Sequence, residues 1–258
     1  MTTHVISTLS TEGVLSLSLN RPEKKNALTG DMYLALAAAI DSAADDPAVR
    51  VVVLTGSEGC FSAGNDLGDF LQQGAQRELP APSHRFIRAL ANTTLPLIAA
   101  VDGVAVVIGT TMLFHCDFVY ATARARFSLP FINLAVVPEA GSSLLLPRLV
   151  GHLRAAELLM LGESFNGIQA RQLGIVSEIC EPADLLARAG ATAAKLAAKS
   201  RSALRETKAL LKRNTESLND RIDAEISSFT TQLKSDAARE LMGAFMEKRS
   251  PDPKKCLD

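Results

Sequence analysis

Apolar and polar residues alternate strictly from Val14 to Leu19, so Leu15, Leu17 and Leu19 share one face and predict a half-buried strand. After the polar turn at residues 21–26, Thr29 stands where a helix N-cap belongs. Leu34, Leu36 and Ile40 carry that helix to about Ala44. The run Val51-Val52-Val53-Leu54 is apolar without a break and mostly β-branched, the pattern of a strand buried on both faces. Leu97–Val101 and Phe118–Ala121 repeat it, and loops of small residues follow the first two runs, at 55–68 and 102–111. Strands alternating with helices predict an α/β fold. From Ala183 to Lys248 the chain turns to Ala, Leu, Lys, Arg and Glu and reads as consecutive helices. The division expected is a core over 1–195 and a helical segment over 196–258. Residues 73–83, with Pro80 and Pro82, read as a surface loop able to act as a lid.

Composition narrows the partners. With 258 residues and 47% hydrophobic content the chain can bury a sizeable core, which excludes disorder as its main state. Lys and Arg total 27 against 28 acidic residues, so no electrostatic footprint for nucleic acid or an anionic membrane is present. Four scattered cysteines without a CxxC pair, and four histidines without metal-ligand spacing, suggest neither a disulfide scaffold nor a metal site. Reduced thiols and an N-terminus without signal-peptide character lead to the expectation of a cytoplasmic protein. Leu95–Phe114 is apolar enough to suggest a membrane span. Pro96, Asp102, Gly103 and Gly109 interrupt it, and it reads instead as a buried strand, a loop and a helix.

Candidate chemistry gathers in the two loops Cys60–Leu67 and Asp102–Thr111. A backbone N–H at a strand-to-helix junction lacks an intrahelical partner, and two such donors aimed at one point make an oxyanion hole. Ordinary tight turns would have the same composition.

Longer stretches resemble one family. They are Asn20-Arg21-Pro22 with Asn26-Ala27-Leu28, Phe61–Leu67, Ala99–Gly103, Cys116-Asp117, Val137–Gly141, Leu146–Gly151, Ala170–Val176 and Ala244–Arg249. In this order they resemble the enoyl-CoA hydratase/isomerase, or crotonase, family across nearly the whole chain. The resemblance implies a crotonase-like spiral of ββα units with a C-terminal helical trimerisation segment. It also implies acyl-CoA thioester substrates, coenzyme A as part of the substrate rather than a cofactor, no metal, and assembly as a homotrimer or hexamer. Apolar Leu204, Leu210, Leu211, Ile222, Ile226 and Phe229 fit such a segment. By position, the oxyanion donors are the N–H groups of Asn65 and Ile108. Ala63, Asp66 and Leu67 fall on the adenine and pantetheine path, Lys24 and Lys25 near the CoA phosphates, and Phe245 and Lys248 at the CoA end of a neighbouring subunit; Ala27, Thr111 and Phe131 are further expected substrate-binding positions.

The departures from the family pattern carry the functional reading. Its hydratases hold water between two glutamates, and those positions are Thr111 and Phe131 here, neither a carboxylate. Water addition needs acid and base groups that a phenyl ring cannot supply. Glu139 stands where single-glutamate 3-enoyl to 2-enoyl-CoA isomerases, of the peroxisomal type, carry their proton shuttle. It could instead cap the helix through Leu144–Leu149. The alternatives to isomerisation are a hydratase-like or other acyl-CoA reaction, or a catalytically silent acyl-CoA binder. Val107 replaces a glycine usual before the second donor, restricting the backbone and adding bulk there. Asp117 is expected to fix a turn, and His115 to pack on a helix.

Overall fold

Strand β1 (Val5–Leu9) folds back antiparallel on β2 (Val14–Leu19) in the computed structural model, which describes residues 2–66, 68–69, 82–134, 136–212 and 235–256. The side chains of 241–243, 245, 246 and 256 fall outside that description. From β2 the six-stranded sheet continues in parallel through β3 (Val51–Thr55), β4 (Leu97–Val101), β6 (Phe118–Thr122) and β9 (Glu178–Cys180). A three-stranded sheet holds β5 (Val104–Val106), β7 (Arg126–Ser128) and β8 (Phe165–Asn166). The chain steps from β4 in the large sheet to β5 in the small one, passes through a short helix, and repeats the step from β6 to β7. This is the α/β spiral of ββα units that the resemblance implies.

The unbroken apolar runs are explained by what covers them. Val52 and Leu54 pack with Met32, Leu36 and Ile40 of α1 (Gly30–Asp45), whereas Val51 and Val53 pack with Ala189 and Ala193 of a later helix, α7 (Leu185–Ala197). Period-two alternation therefore serves two cores at once. Each fully buried Val or Leu contributes about 1.5–3 kcal/mol of transfer free energy, which fixes the strand register. Thr29 caps α1, its hydroxyl accepting from the Met32 N–H at 3.4 Å.

Three expectations need amendment. The apolar run from Leu95 is divided among β4, β5 and α3 (Ile108–Thr111), and among the described residues no helix is long and apolar enough to cross a membrane. Pro82 and Ser83 belong to α2 (Pro82–Asn92), because proline is well suited to a first helical turn; the rest of the expected lid, 73–81, lies outside the described residues. Strands β1, β5, β7, β8 and β9 also escaped the pattern reading. All but β1 are two or three residues long, and β1 is mostly exposed.

The helices α4 (Ser142–Val150), α5 (His152–Leu161) and α6 (Gly167–Gln172) lie between β7 and β9 in the chain, and α7 (Leu185–Ala197) runs past residue 195. Helix α8 (Arg201–Lys212) is tied back to the core. The buried Lys208 ammonium donates to the Leu95 carbonyl at 2.6 Å and to Asp117 at 2.7 Å. Asp117 also accepts from the Leu97 N–H at 2.7 Å and so fixes the start of β4. Leu204 and Leu210 of α8 are half-buried and Leu211 is exposed; Ile222, Ile226 and Phe229 lie outside the described residues.

Candidate active site

Two adjacent turns, each leaving one backbone N–H without an acceptor among the described residues, border one cavity through Asn65 and Val107. In the first, the Gly64 carbonyl accepts from the Leu28 N–H at 2.7 Å, and the Asp66 N–H donates to the Leu28 carbonyl at 2.9 Å. The Asn65 N–H belongs to the same trans peptide as the Gly64 carbonyl, so it points the opposite way. In the second, the Val107 carbonyl accepts from the N–H groups of Thr110 and Thr111, both at 2.9 Å, which turns the Ile108 N–H outward from the start of α3. Among the described residues neither the Asn65 nor the Ile108 N–H has an acceptor. The turns are stitched together by Ser62 N–H to Val104 carbonyl at 2.9 Å and Val106 N–H to Ser62 carbonyl at 3.0 Å.

Val107 has φ 50° and ψ −115°, backbone that glycine adopts without strain and a β-branched residue does not. Its ψ orients the peptide that carries the Ile108 N–H. The expectation of a restricted backbone is therefore met in a particular way: the donor is in place, and the valine is strained to put it there.

The cavity measures about 550 Å³, and Ala63, Asn65, Val107, Phe131, Leu134 and Glu139 are among its walls. Glu139 is the one carboxylate among the described lining residues. Burial raises its pKa from the usual 4.5 to about 7, opposed only by the Thr111 hydroxyl, which lies 3.4 Å from Oε1. The turn carrying it is rigidly pinned. Ala140 and Gly141 take φ 53° and 68°, the Glu139 carbonyl accepts from the Ser142 hydroxyl at 2.6 Å, and the His115 Nε2 donates to the Ala140 carbonyl at 2.9 Å. Burial lowers the His115 pKa, leaving a neutral ring in this supporting role. Gly141 occupies the N-cap of α4, which has no side-chain cap, so the capping role considered for Glu139 is not what its carboxylate does.

The other expected site residues divide clearly. Thr111 is fully buried beside Glu139, and Phe131 is a buried wall of the cavity. Ala27 is half-buried, its carbonyl accepting from Arg21 at 3.1 Å. Asp66 turns away to Arg21 at 2.8 Å, which holds its carboxyl below the ordinary range. Lys24, Lys25 and Lys248 are exposed and do not line the cavity. Leu67 and the Phe245 side chain lie outside the described residues.

Two supporting residues carried no chemical signal in the sequence. Asn26, fully buried, accepts from the Arg21 N–H at 2.8 Å and donates to the Cys60 carbonyl at 2.7 Å, joining the polar turn to the first donor loop. Tyr33, on the buried face of α1 among apolar neighbours, hydrogen-bonds the Asn65 side chain.

Comparison with known proteins identifies the family. The sequence pattern described as Enoyl-CoA hydratase/isomerase matches residues 10–255. The chain is 36% identical to the 2,3-dehydroadipyl-CoA hydratase of Escherichia coli K12 over 93% of its length and 94% of that protein's. It is 33% identical to the 1,2-epoxyphenylacetyl-CoA isomerase of the same bacterium, again over 93% and 94%. A solved structure from Magnetospirillum magneticum AMB-1, provisionally named enoyl-CoA hydratase/carnithine racemase, superposes with a TM-score of 0.92 at 48% identity, over 98% of this chain and 99% of that one. The chain belongs to the enoyl-CoA hydratase/isomerase family.

Proposed function

We propose that this member of the enoyl-CoA hydratase/isomerase family moves the double bond of a 3-enoyl-CoA to the 2-position, with Glu139 as its single proton shuttle. The observation that carries the reading is one carboxylate, of pKa about 7, on the wall of a cavity that Asn65 and Val107 also line, in the two turns whose Asn65 and Ile108 N–H groups have no acceptor among the described residues. With the thioester oxygen on the Asn65 and Ile108 N–H groups, Glu139 takes a proton from C2. The C–H electron pair moves into the thioester and leaves negative charge on that oxygen. The charge then returns as the C2=C3 double bond, the C3=C4 pair takes the proton back from Glu139 at C4, and no proton or electron is gained or lost overall. A base of pKa near 7 suits both halves of the exchange at neutral pH. Each peptide donor supplies about 10²–10³ in rate.

Hydration is a second reading, favoured by the hydratase name of the dehydroadipyl-CoA relative. Against it, Thr111 and Phe131 leave Glu139 without a second carboxylate to hold and protonate water. The experiment supplies 3-hexenoyl-CoA and 2-hexenoyl-CoA to wild type and to Glu139→Gln and identifies the products. Isomerisation predicts 2-hexenoyl-CoA from the first substrate, with turnover lower by about 10²–10⁴ in the glutamine variant and binding nearly unchanged. A 3-hydroxyacyl-CoA as main product would make the protein a hydratase. Acyl-CoA binding without turnover would make it a silent binder.

A further inference from the structure

We infer that Tyr33 is a positioning residue that keeps the Asn65 N–H free for the substrate, by occupying the side-chain oxygen of Asn65 that would otherwise capture it. The inference rests on the reading of that N–H as an oxyanion donor.

The turn around Asn65 is held at several points, and all but one act on its neighbours. Arg21 holds Asp66 at 2.8 Å, the Gly30 N–H donates to Asp69 at 2.6 Å, and Leu28 brackets the turn through Gly64 and Asp66. Among the described residues, only the Tyr33 hydroxyl, donating to Asn65 Oδ1, engages the side chain of residue 65 itself. Asparagine is a hazardous residue at such a position. Its short carboxamide readily bonds nearby backbone N–H groups, the habit that makes it common in turns. A free Oδ1 beside an unpartnered N–H would compete with any thioester oxygen entering the cavity.

Tyr33 is built to remain a donor. It is 3% exposed, and its ring packs on Phe86 with centroids 5.7 Å apart. Burial pushes its pKa well above 10, and the carboxylates of Glu139 and Asp69 push it further the same way. The phenol therefore keeps its proton through the neutral range in which Glu139 ionises, so the hydrogen bond it gives to Asn65 is present there.

The test uses Tyr33→Phe, which keeps the ring on Phe86 and removes only the O–H. Hexanoyl-CoA carrying ¹³C at its carbonyl is bound to each protein, and isotope-edited infrared spectroscopy reads how far the hole lowers the C=O stretch. Wild type should lower it relative to water. Tyr33→Phe should lose about half of that shift, as expected for one of two donors, with turnover of 3-hexenoyl-CoA down about 10²–10³-fold. Hexanoyl-CoA affinity should stay within about threefold, since one weak bond to a neutral oxygen carries little of it. Adding Asn65→Ala to Tyr33→Phe removes the competing oxygen and should restore the shift, which a purely structural tyrosine would not predict.

A Tyr33→Phe spectrum matching wild type would overturn the inference, as would a double variant that fails to regain the shift. No shift in wild type would overturn it together with the oxyanion reading. A normal shift and rescue in a protein that does not isomerise would uphold the inference and remove only the isomerase assignment.

Discussion

The two donor turns reach the same end by opposite means. Around Asn65 the backbone is relaxed at the donor and held by side chains of residues far away in sequence, Arg21 and Tyr33 among them. At Ile108 no side chain caps the short helix, and a valine at φ 50° does the aiming. One donor is set by tethers, the other by local strain of about 1–3 kcal/mol, the usual cost of such a conformation. A tethered donor is lost piecemeal as contacts are removed. A strained one persists as long as the fold around it does.

The largest effect should come from forcing the turns apart. A Cβ on Gly64, at φ 92°, would lie 2.7 Å from the Val106 carbonyl oxygen, and one on Gly109 would lie 2.8 Å from that of Ser62. Gly64→Ala and Gly109→Ala should each lower kcat by about 10²–10³, the loss of one donor. Gly64→Ala should also lower Tm further, because its backbone is strained as well as crowded. Equal turnover in both alanine variants and wild type would show that the donors are not where the rate is made.

The next effect separates the donors from the base. Peptide N–H groups do not titrate, so the pH dependence belongs to Glu139. Because its pKa is raised to about 7, kcat/KM should rise about tenfold per pH unit below that point and level off above it. The same raised value makes the folded state bind the proton more tightly than the unfolded chain, so Glu139 lowers stability as pH climbs from about 4.5 to about 7. A flat rate profile between about pH 5 and 9 would remove Glu139 as the base.

The smallest effect sharpens the strain side of the comparison. Val107→Gly relieves about 1–3 kcal/mol of strain and gives back about 0.5–1 kcal/mol in unfolded-chain entropy. The net gain of about 1 kcal/mol corresponds to a Tm rise of about 2–4 °C for a chain this size. Since the Ile108 N–H is already free, glycine should widen the range of acyl groups accepted rather than raise kcat. A lower Tm would refute the strain.

The two regions also differ in how much could be read from residues alone. Buried strands β2, β3, β4 and β6 were legible because continuous or alternating apolar runs admit few other readings. Strands as short as β8, Phe165–Asn166, leave no periodicity to detect. At the site, Asn65, Ile108 and Glu139 were placed through resemblance, and Val107 stood out as a departure at a glycine position. Tyr33 was invisible because it follows the helical spacing of Leu36, Ala37 and Ile40, and only the fold shows that its hydroxyl ends on Asn65. His115 was hidden for a related reason: a hydrogen bond to the Ala140 carbonyl joins residues 25 apart in the chain.

Gly64 presses on Val106 while Gly109 presses on Ser62, so each turn fills the space where the other lacks a methyl group. The arrangement works as a calliper whose opening is set by two absent atoms rather than by any residue facing the substrate. Walls such as Phe131, Leu134 and Val137 take no part in that setting. A lineage that exchanged them, or replaced Glu139 with another reactive group, would keep the spacing of the two turns, and with it the grip on a thioester oxygen proposed above, while changing what happens further along the acyl chain. The anchoring end of the site is fixed by backbone, and the reacting end is open to revision.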